Sequence, residues 1–192
     1  MGKEFELKYK ASPEVLNKLE ARFGGFHTIE METTYFDTPD RALGQRRWTL
    51  RRRYENGVSV CALKTPGHQE VRGEWEVREE NMEKGLKALC AMDVPEEFPG
   101  LTQAGLVRVC GARFLRRACL VTTGSTQVEI ALDQGVFLGG DREQAFSELE
   151  VELTSGSHQE IEAFGRSLAE EYGLETETVS KFERALALSR EV

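Results

Sequence analysis

Glu4-Phe5-Glu6-Leu7-Lys8 alternates charged and apolar residues. A strand sends successive side chains to opposite faces, so Glu4, Glu6 and Lys8 share one face and Phe5 and Leu7 the other. Alone, the pentapeptide reads as a surface strand with a solvated acidic face. The alternation returns, however, in Leu50-Arg51-Arg52-Arg53, in Arg72-Gly73-Glu74-Trp75-Glu76-Val77-Arg78, in Val128-Glu129-Ile130-Ala131-Leu132-Asp133 and in Glu148-Leu149-Glu150-Val151-Glu152-Leu153. Repeated half-charged, half-apolar strands predict a barrel whose lumen is ionic.

The 192 residues, 40% hydrophobic and 30% charged, suit one globular domain over residues 1–192. No apolar run approaches the roughly 18 residues of a spanning helix, and the N-terminus alternates charge where a secretory segment needs a continuous apolar core. The expected location is the cytoplasm. Cys61, Cys90, Cys110 and Cys119 show no CxxC spacing and read as reduced small hydrophobes, while His27, His68 and His158 are scattered. Any metal is therefore expected to be a hard ion held by carboxylate oxygens. The net charge of -8 argues against a nucleic-acid partner despite the run Arg46, Arg47, Arg51, Arg52, Arg53, since only Trp48 and Tyr54 offer stacking surfaces beside it.

Along the chain, Ser12-Pro13 predicts a helix start, with Leu16, Leu19 and Phe23 on one stripe before Gly24-Gly25. Strands are predicted at about 3–10, 28–38, 47–55, 58–65 and 72–79, with a hairpin turn at Glu55-Asn56-Gly57. Asn81 caps a helix, a Pro-bearing segment follows, and a short helix is expected near 101–108. Further strands are predicted at about 112–122, 126–134, 136–139 and 145–154, then helices at about 157–173 and 177–190.

If the charged faces turn inward, Glu4, Glu6, Glu74, Glu76, Glu129, Asp133, Glu148, Glu150 and Glu152 share a lumen with Lys8, Arg51, Arg53, Lys64, Arg72 and Arg116. Two like charges about 5 Å apart repel by about 3 kcal/mol at an effective dielectric near 20, so an empty lumen of this kind is expected to be strained. A polyphosphate with a divalent metal would relieve it: cations take the phosphate oxygens and carboxylates hold the ion. The opposing arrangement is a sandwich with charges outward and apolar faces packed together.

Glu4-x-Glu6-x-Lys8, Tyr35-Phe36-Asp37-Thr38-Pro39, Leu50-Arg51-Arg52-Arg53, Leu63-Lys64, Glu74-Trp75, Ala131-Leu132-Asp133, Glu148-Leu149-Glu150 and Ser180-Lys181 follow one another as in the CYTH superfamily, the triphosphate tunnel metalloenzymes. The resemblance spans essentially the whole chain and is nearest to the catalytic domains of bacterial inorganic triphosphatases. In some of those proteins a helical CHAD domain follows; none is expected within these residues. The resemblance implies an α+β fold, an eight-stranded antiparallel β-barrel forming a triphosphate tunnel, with helices packed outside.

It further implies triphosphate binding by Lys8, Arg51, Arg53, Lys64, Arg116 and Lys181, and metal binding, Mg2+ or Mn2+, by Glu4, Glu6, Asp133, Glu148 and Glu150. Glu4, Glu6, Lys8 and Lys64 stand as catalytic candidates, and Arg72, Glu74, Glu76, Glu129 and Glu152 as further tunnel residues. Related proteins often carry another basic residue two positions from Arg116, whereas this chain has Phe114 and Ala118 there and Arg117 adjacent, leaving the strand's register open by one residue. Lys181 is expected to reach over the tunnel mouth to a terminal phosphate, with Arg184 on the same helix dispensable. The implied activity is metal-dependent hydrolysis of a phosphoanhydride in inorganic triphosphate or another small triphosphate, by a monomer or homodimer. Adenylate cyclase, thiamine triphosphatase and a non-catalytic polyphosphate or nucleotide binder are the alternatives.

Overall fold

The computed structural model describes residues 5–68 and 71–189, apart from the side chains of residues 67, 68, 71 and 72. In chain order the elements are β1 (Glu6–Lys10), α1 (Pro13–Phe23), β2 (His27–Asp37), α2 (Ala42–Gln45), β3 (Thr49–Glu55), β4 (Val58–His68), β5 (Val71–Arg78), α3 (Met82–Cys90) and α4 (Glu97–Leu101). They continue with β6 (Val107–Thr123), β7 (Thr126–Gly139), β8 (Arg142–Ser155), α5 (His158–Tyr172), β9 (Glu175–Thr176) and α6 (Lys181–Leu188). The strands form one nine-stranded sheet in the order β5-β4-β3-β2-β6-β7-β8-β1-β9, and every neighbouring pair is antiparallel. Eight of the strands are the expected tunnel strands, and β9 adds two residues beside β1. β5 and β9 lie at opposite ends of the hydrogen-bonded order, so the described ladder does not close on itself.

Local chemistry accounts for the turns and starts. Asn56 and Gly57 take positive φ of 48° and 84°, as a two-residue hairpin needs to match the twist of its strands. The Asn56 side chain also accepts from the Glu30 amide at 2.9 Å. Ser12, Asn81, Ser157 and Ser180 cap their helices through side-chain oxygens. The last helix begins at Lys181 rather than near Glu177 because Ser180 and Glu183 form a capping box.

Three further boundaries differ from the sequence reading. The helix expected near 101–108 is replaced by α4 and a 3-10 turn at Thr102–Ala104. β6 accordingly starts at Val107. β7 runs unbroken through Gln134-Gly135, because Gly135 permits close strand approach rather than a turn. A Cβ there would lie 2.1 Å from the Arg113 carbonyl oxygen and 2.5 Å from Phe114.

The two faces of the sheet are covered differently. On the outer face, Tyr9, Leu149, Val151, Ile130 and Leu132 pack against Leu16 and Leu19 of α1 and Ile161 and Leu168 of α5. At the other end Leu50, Cys61 and Leu63 pack against Leu43, Met82, Leu89 and Phe98 from α2, α3 and α4. Full burial of a leucine contributes about 1.5–3 kcal/mol, enough to fix each short helix. α6 instead lies on the charged face, where Ala185 and Leu188, with Phe182 beside them, pack on Met31, Tyr35, Phe114, Phe137 and Phe146. Not all the helices therefore pack on the outer face. Among the described residues no helix is long and apolar enough to cross a membrane.

The tight approach at Gly135 yields a stability test. Gly135→Ala should destabilise the fold by about 1–3 kcal/mol, the usual cost of overpacking, read as a lower urea midpoint at unchanged m value.

Candidate metal and phosphate tunnel

Directly opposed residues in an antiparallel ladder point to the same face, so the register decides which charges meet. Lys8 opposes Glu150 and Lys10 opposes Glu148; Glu148 opposes Asp133, and Glu152 opposes Glu129. Asp133 opposes Arg116. On the other half of the sheet Tyr35 opposes Arg51 and Thr33 opposes Arg53. Lys64 opposes Glu74 and Ala62 opposes Glu76. One continuous face thus carries Glu6, Lys8, Arg51, Arg53, Lys64, Glu74, Glu76, Arg116, Glu129, Asp133, Glu148, Glu150 and Glu152.

The strand register left open by the sequence is fixed by these pairs. Arg116 faces inward, whereas Arg117 opposes Leu132 and meets Glu20 of α1 outside the sheet. Arg52 likewise faces outward, its guanidinium 4.8 Å from the Tyr54 ring centre.

Asp133, Glu148 and Glu150 converge, each offering an oxygen within 4.8 Å of the others. Asp133 and Glu148 are both 0% exposed. The Lys181 ammonium sits among them, 2.8 Å from Asp133 and 2.7 Å from Glu150, and pairs with Glu148 as well. Arg116 binds Asp133 through Nε at 2.8 Å and Nη2 at 2.7 Å and also reaches Glu150. Arg184 takes the second oxygen of Glu148 and lies 3.3 Å from buried Glu177. Burial would raise the Glu150 carboxyl, but Lys181 and Arg116 overcome it and hold the group at about 2. Burial likewise disfavours charged Lys181, and the carboxylates outweigh it, so the ammonium is held above its ordinary range.

Two expectations are corrected here. The carboxylates are not left in like-charge repulsion awaiting a ligand, because α6 inserts cations between them. Nor is Arg184 a spare helical residue, since it pairs with Glu148 and Glu177. Its position one turn after Lys181, at i and i+3, was the signal available in the sequence; the side of the sheet on which the helix docks was not.

The β3–β5 half of the face carries Arg51, Arg53 and Lys64 beside Glu55, Glu74 and Glu76. Lys64 pairs with Glu74 at 2.8 Å and Arg53 with Glu55 at 2.7 Å. Arg51 is held more loosely, 3.8 Å from both Glu74 and Glu76, and its buried Nε has no hydrogen-bond partner. Burial and then the charge of Arg51 push the Arg53 guanidinium down, a sign of cations crowded together. Burial raises the Glu76 carboxyl, reinforced by the charge of Glu74.

Lys8 pairs with Glu6 at 3.3 Å; Glu6 stands outside the carboxylate triad. Glu4 lies outside the described residues, and Arg72 is described in its backbone alone. Three buried oxygen donors of hard character suit a divalent cation, and their grip on an ammonium shows that the cage accepts a positive centre.

Residues 2–186 match the CYTH domain family model. The chain is 31% identical to an inorganic triphosphatase of Haemophilus influenzae over 98% of its own length, and spans 55% of the length of that relative. Among solved structures, a Hippeastrum protein described as an adenylyl cyclase with a dominant triphosphatase activity aligns at TM-score 0.71 and 18% identity, over 98% of this chain and 97% of that one. A protein from Pyrococcus horikoshii OT3 aligns at TM-score 0.62 and 26% identity, over 96% of this chain and 98% of that one.

The buried ion pair of Arg184 makes a stability prediction. Arg184→Ala should cost about 1.5–3 kcal/mol, the usual value of hydrogen bonds to a charged group, measured by chemical denaturation. A change below about 0.5 kcal/mol would return Arg184 to the ordinary surface.

Proposed function

The chain belongs to the CYTH domain family, and from that premise we propose that it hydrolyses a phosphoanhydride bond of inorganic triphosphate or another small triphosphate with the aid of Mg2+ or Mn2+. The observation that carries this reading is one continuous charged face that bears both the Asp133, Glu148 and Glu150 cage and the cations Arg51, Arg53 and Lys64. A phosphate chain with a hard cation is the ligand that complements both at once.

Asp133, Glu148 and Glu150 would hold the ion, with Glu4 and Glu6 as the N-terminal contribution. When bound, the ion supplies Lewis-acid polarisation of phosphate oxygens and acidifies a coordinated water. The protein's own side chains do the positioning. Arg51, whose carboxylate partners stand at 3.8 Å, would receive phosphate oxygens in a forked contact. Arg53, Lys64 and Lys8 extend that cationic track, and Arg116 links it to the carboxylate cage. Arg and Lys groups fixed before the substrate arrives offset charge on the transferring phosphoryl group with little reorganisation. Glu6, which pairs with Lys8, would act with Glu4 through the ion that positions the attacking water.

Phosphate release from tripolyphosphate, set beside ATP and thiamine triphosphate, tests the reading. Activity should vanish after EDTA treatment and return with Mg2+ or Mn2+; full turnover after exhaustive chelation would end the metal assignment.

The Arg51 strand gives a register-specific test. Arg51→Ala should cost about 1.5–3 kcal/mol of transition-state interaction, or roughly tenfold to more than a hundredfold in kcat/KM. Arg52→Ala, on the outer face, should leave kcat/KM within about twofold. The reverse pattern would show that the phosphate track lies on the other face.

A further inference from the structure

Lys181 occupies the space that the metal reading assigns to a cation. Its ammonium touches Asp133, Glu148 and Glu150, the same three residues that form the carboxylate cage. Metal and ammonium therefore compete for the same oxygens. Charge counting makes the competition consequential: Asp133, Glu148, Glu150 and Glu177 face Arg116, Lys181, Arg184 and Lys8, four acids against four bases. Asp133, Glu148 and Glu150 are thus already ion-paired, so a divalent ion must displace a cation to bind them.

We propose that Lys181 is a displaceable internal cation, which fills the carboxylate cage in the resting protein and must leave it when a divalent ion enters. The proposal rests on the reading of that cage as the metal site. The geometry distinguishes Lys181 from its neighbours. Arg116 is anchored by its forked contact to Asp133, and Arg184 is shared between Glu148 and Glu177. Lys181 is a single charge on a flexible stem at the first residue of α6, so it can swing without unseating the helix, whose hold on the sheet comes from Phe182, Ala185 and Leu188. Once expelled, the ammonium lacks a carboxylate partner until a polyanion arrives. Metal should thus bind weakly by itself and tightly together with a phosphate chain, because the same lysine leaves one ligand set for the other.

Mn2+ titration followed by electron paramagnetic resonance, without any polyanion, tests this. Lys181→Met removes the charge at similar length and should bind Mn2+ at least about tenfold more tightly than wild type, whereas Lys181→Arg should not. Adding Asp133→Asn to Lys181→Met should abolish the gain. Equal or weaker affinity in a folded Lys181→Met protein, or a gain that survives Asp133→Asn, would overturn the proposal. A second readout needs no variant: reductive methylation of wild-type Lys181, followed by mass spectrometry, should be slow without metal and accelerate several-fold at saturating Mn2+. Unchanged protection at saturation would also overturn it. Absence of Mn2+ binding by both wild type and Lys181→Met would remove the metal assignment itself. Mn2+-dependent tripolyphosphate hydrolysis by wild type, with unchanged Mn2+ affinity in Lys181→Met, would remove this proposal alone.

Discussion

The structure depends on neutralising carboxylates that have no access to water. Asp133 and Glu148 are fully buried, and an unpaired buried carboxylate costs several kcal/mol even after the surroundings relax. Neither β7 nor β8 supplies the cations directly. They come from β6 through Arg116 and from α6 through Lys181 and Arg184. The C-terminal helix is therefore held on the charged face by two forces. Phe182, Ala185 and Leu188 bury apolar surface, while Lys181 and Arg184 complete the ion pairs that make burial of the acids tolerable.

The same constraint explains why register matters so much. With a side-chain period of two, a slip of one residue in β6 would exchange Arg116 for Arg117. Asp133 would then lose its forked partner, and Glu20 on α1 would lose the Arg117 that now meets it outside. The outer apolar residues are set by that alternation too, since Leu132 and Ile130 alternate with Asp133 and Ala131 and pack under α1 and α5. Hydrophobic burial outside and charge pairing inside select one register together.

Much of this was legible in the sequence because it follows from strand periodicity. The alternating charges of β1, β3, β5, β7 and β8, the Asn56-Gly57 hairpin and the Ser12 and Asn81 caps are local signals, and each appears where its chemistry predicts. The hidden features depend on tertiary contact. Gly135 resembled a break until its close approach to Arg113 and Phe114 was known. α6 carries apolar residues suited to either side of the sheet, so its place on the charged face, and with it the role of Arg184, could not be derived from periodicity. The carboxylates of β7 and β8 looked unpaired because two of the cations that meet them, Lys181 and Arg184, come from a helix and join Arg116 of the facing strand.

That pairing also bears on what the tunnel can select. A monovalent anion could be met by Arg51 alone, whose partners stand at 3.8 Å, without disturbing the acidic cage. On the proposed reading, a divalent ion entering the cage would displace a paired ammonium that then needs a partner. An unpaired ammonium in a low-dielectric site is costly, so on that reading the loaded state would include an anion that reaches from the cage to Arg51, Arg53 and Lys64. A short phosphate chain supplies several negative oxygens along one molecule. On the proposed reading, selectivity for a polyanion would arise from the need to pair the displaced ammonium, in addition to any shape fit.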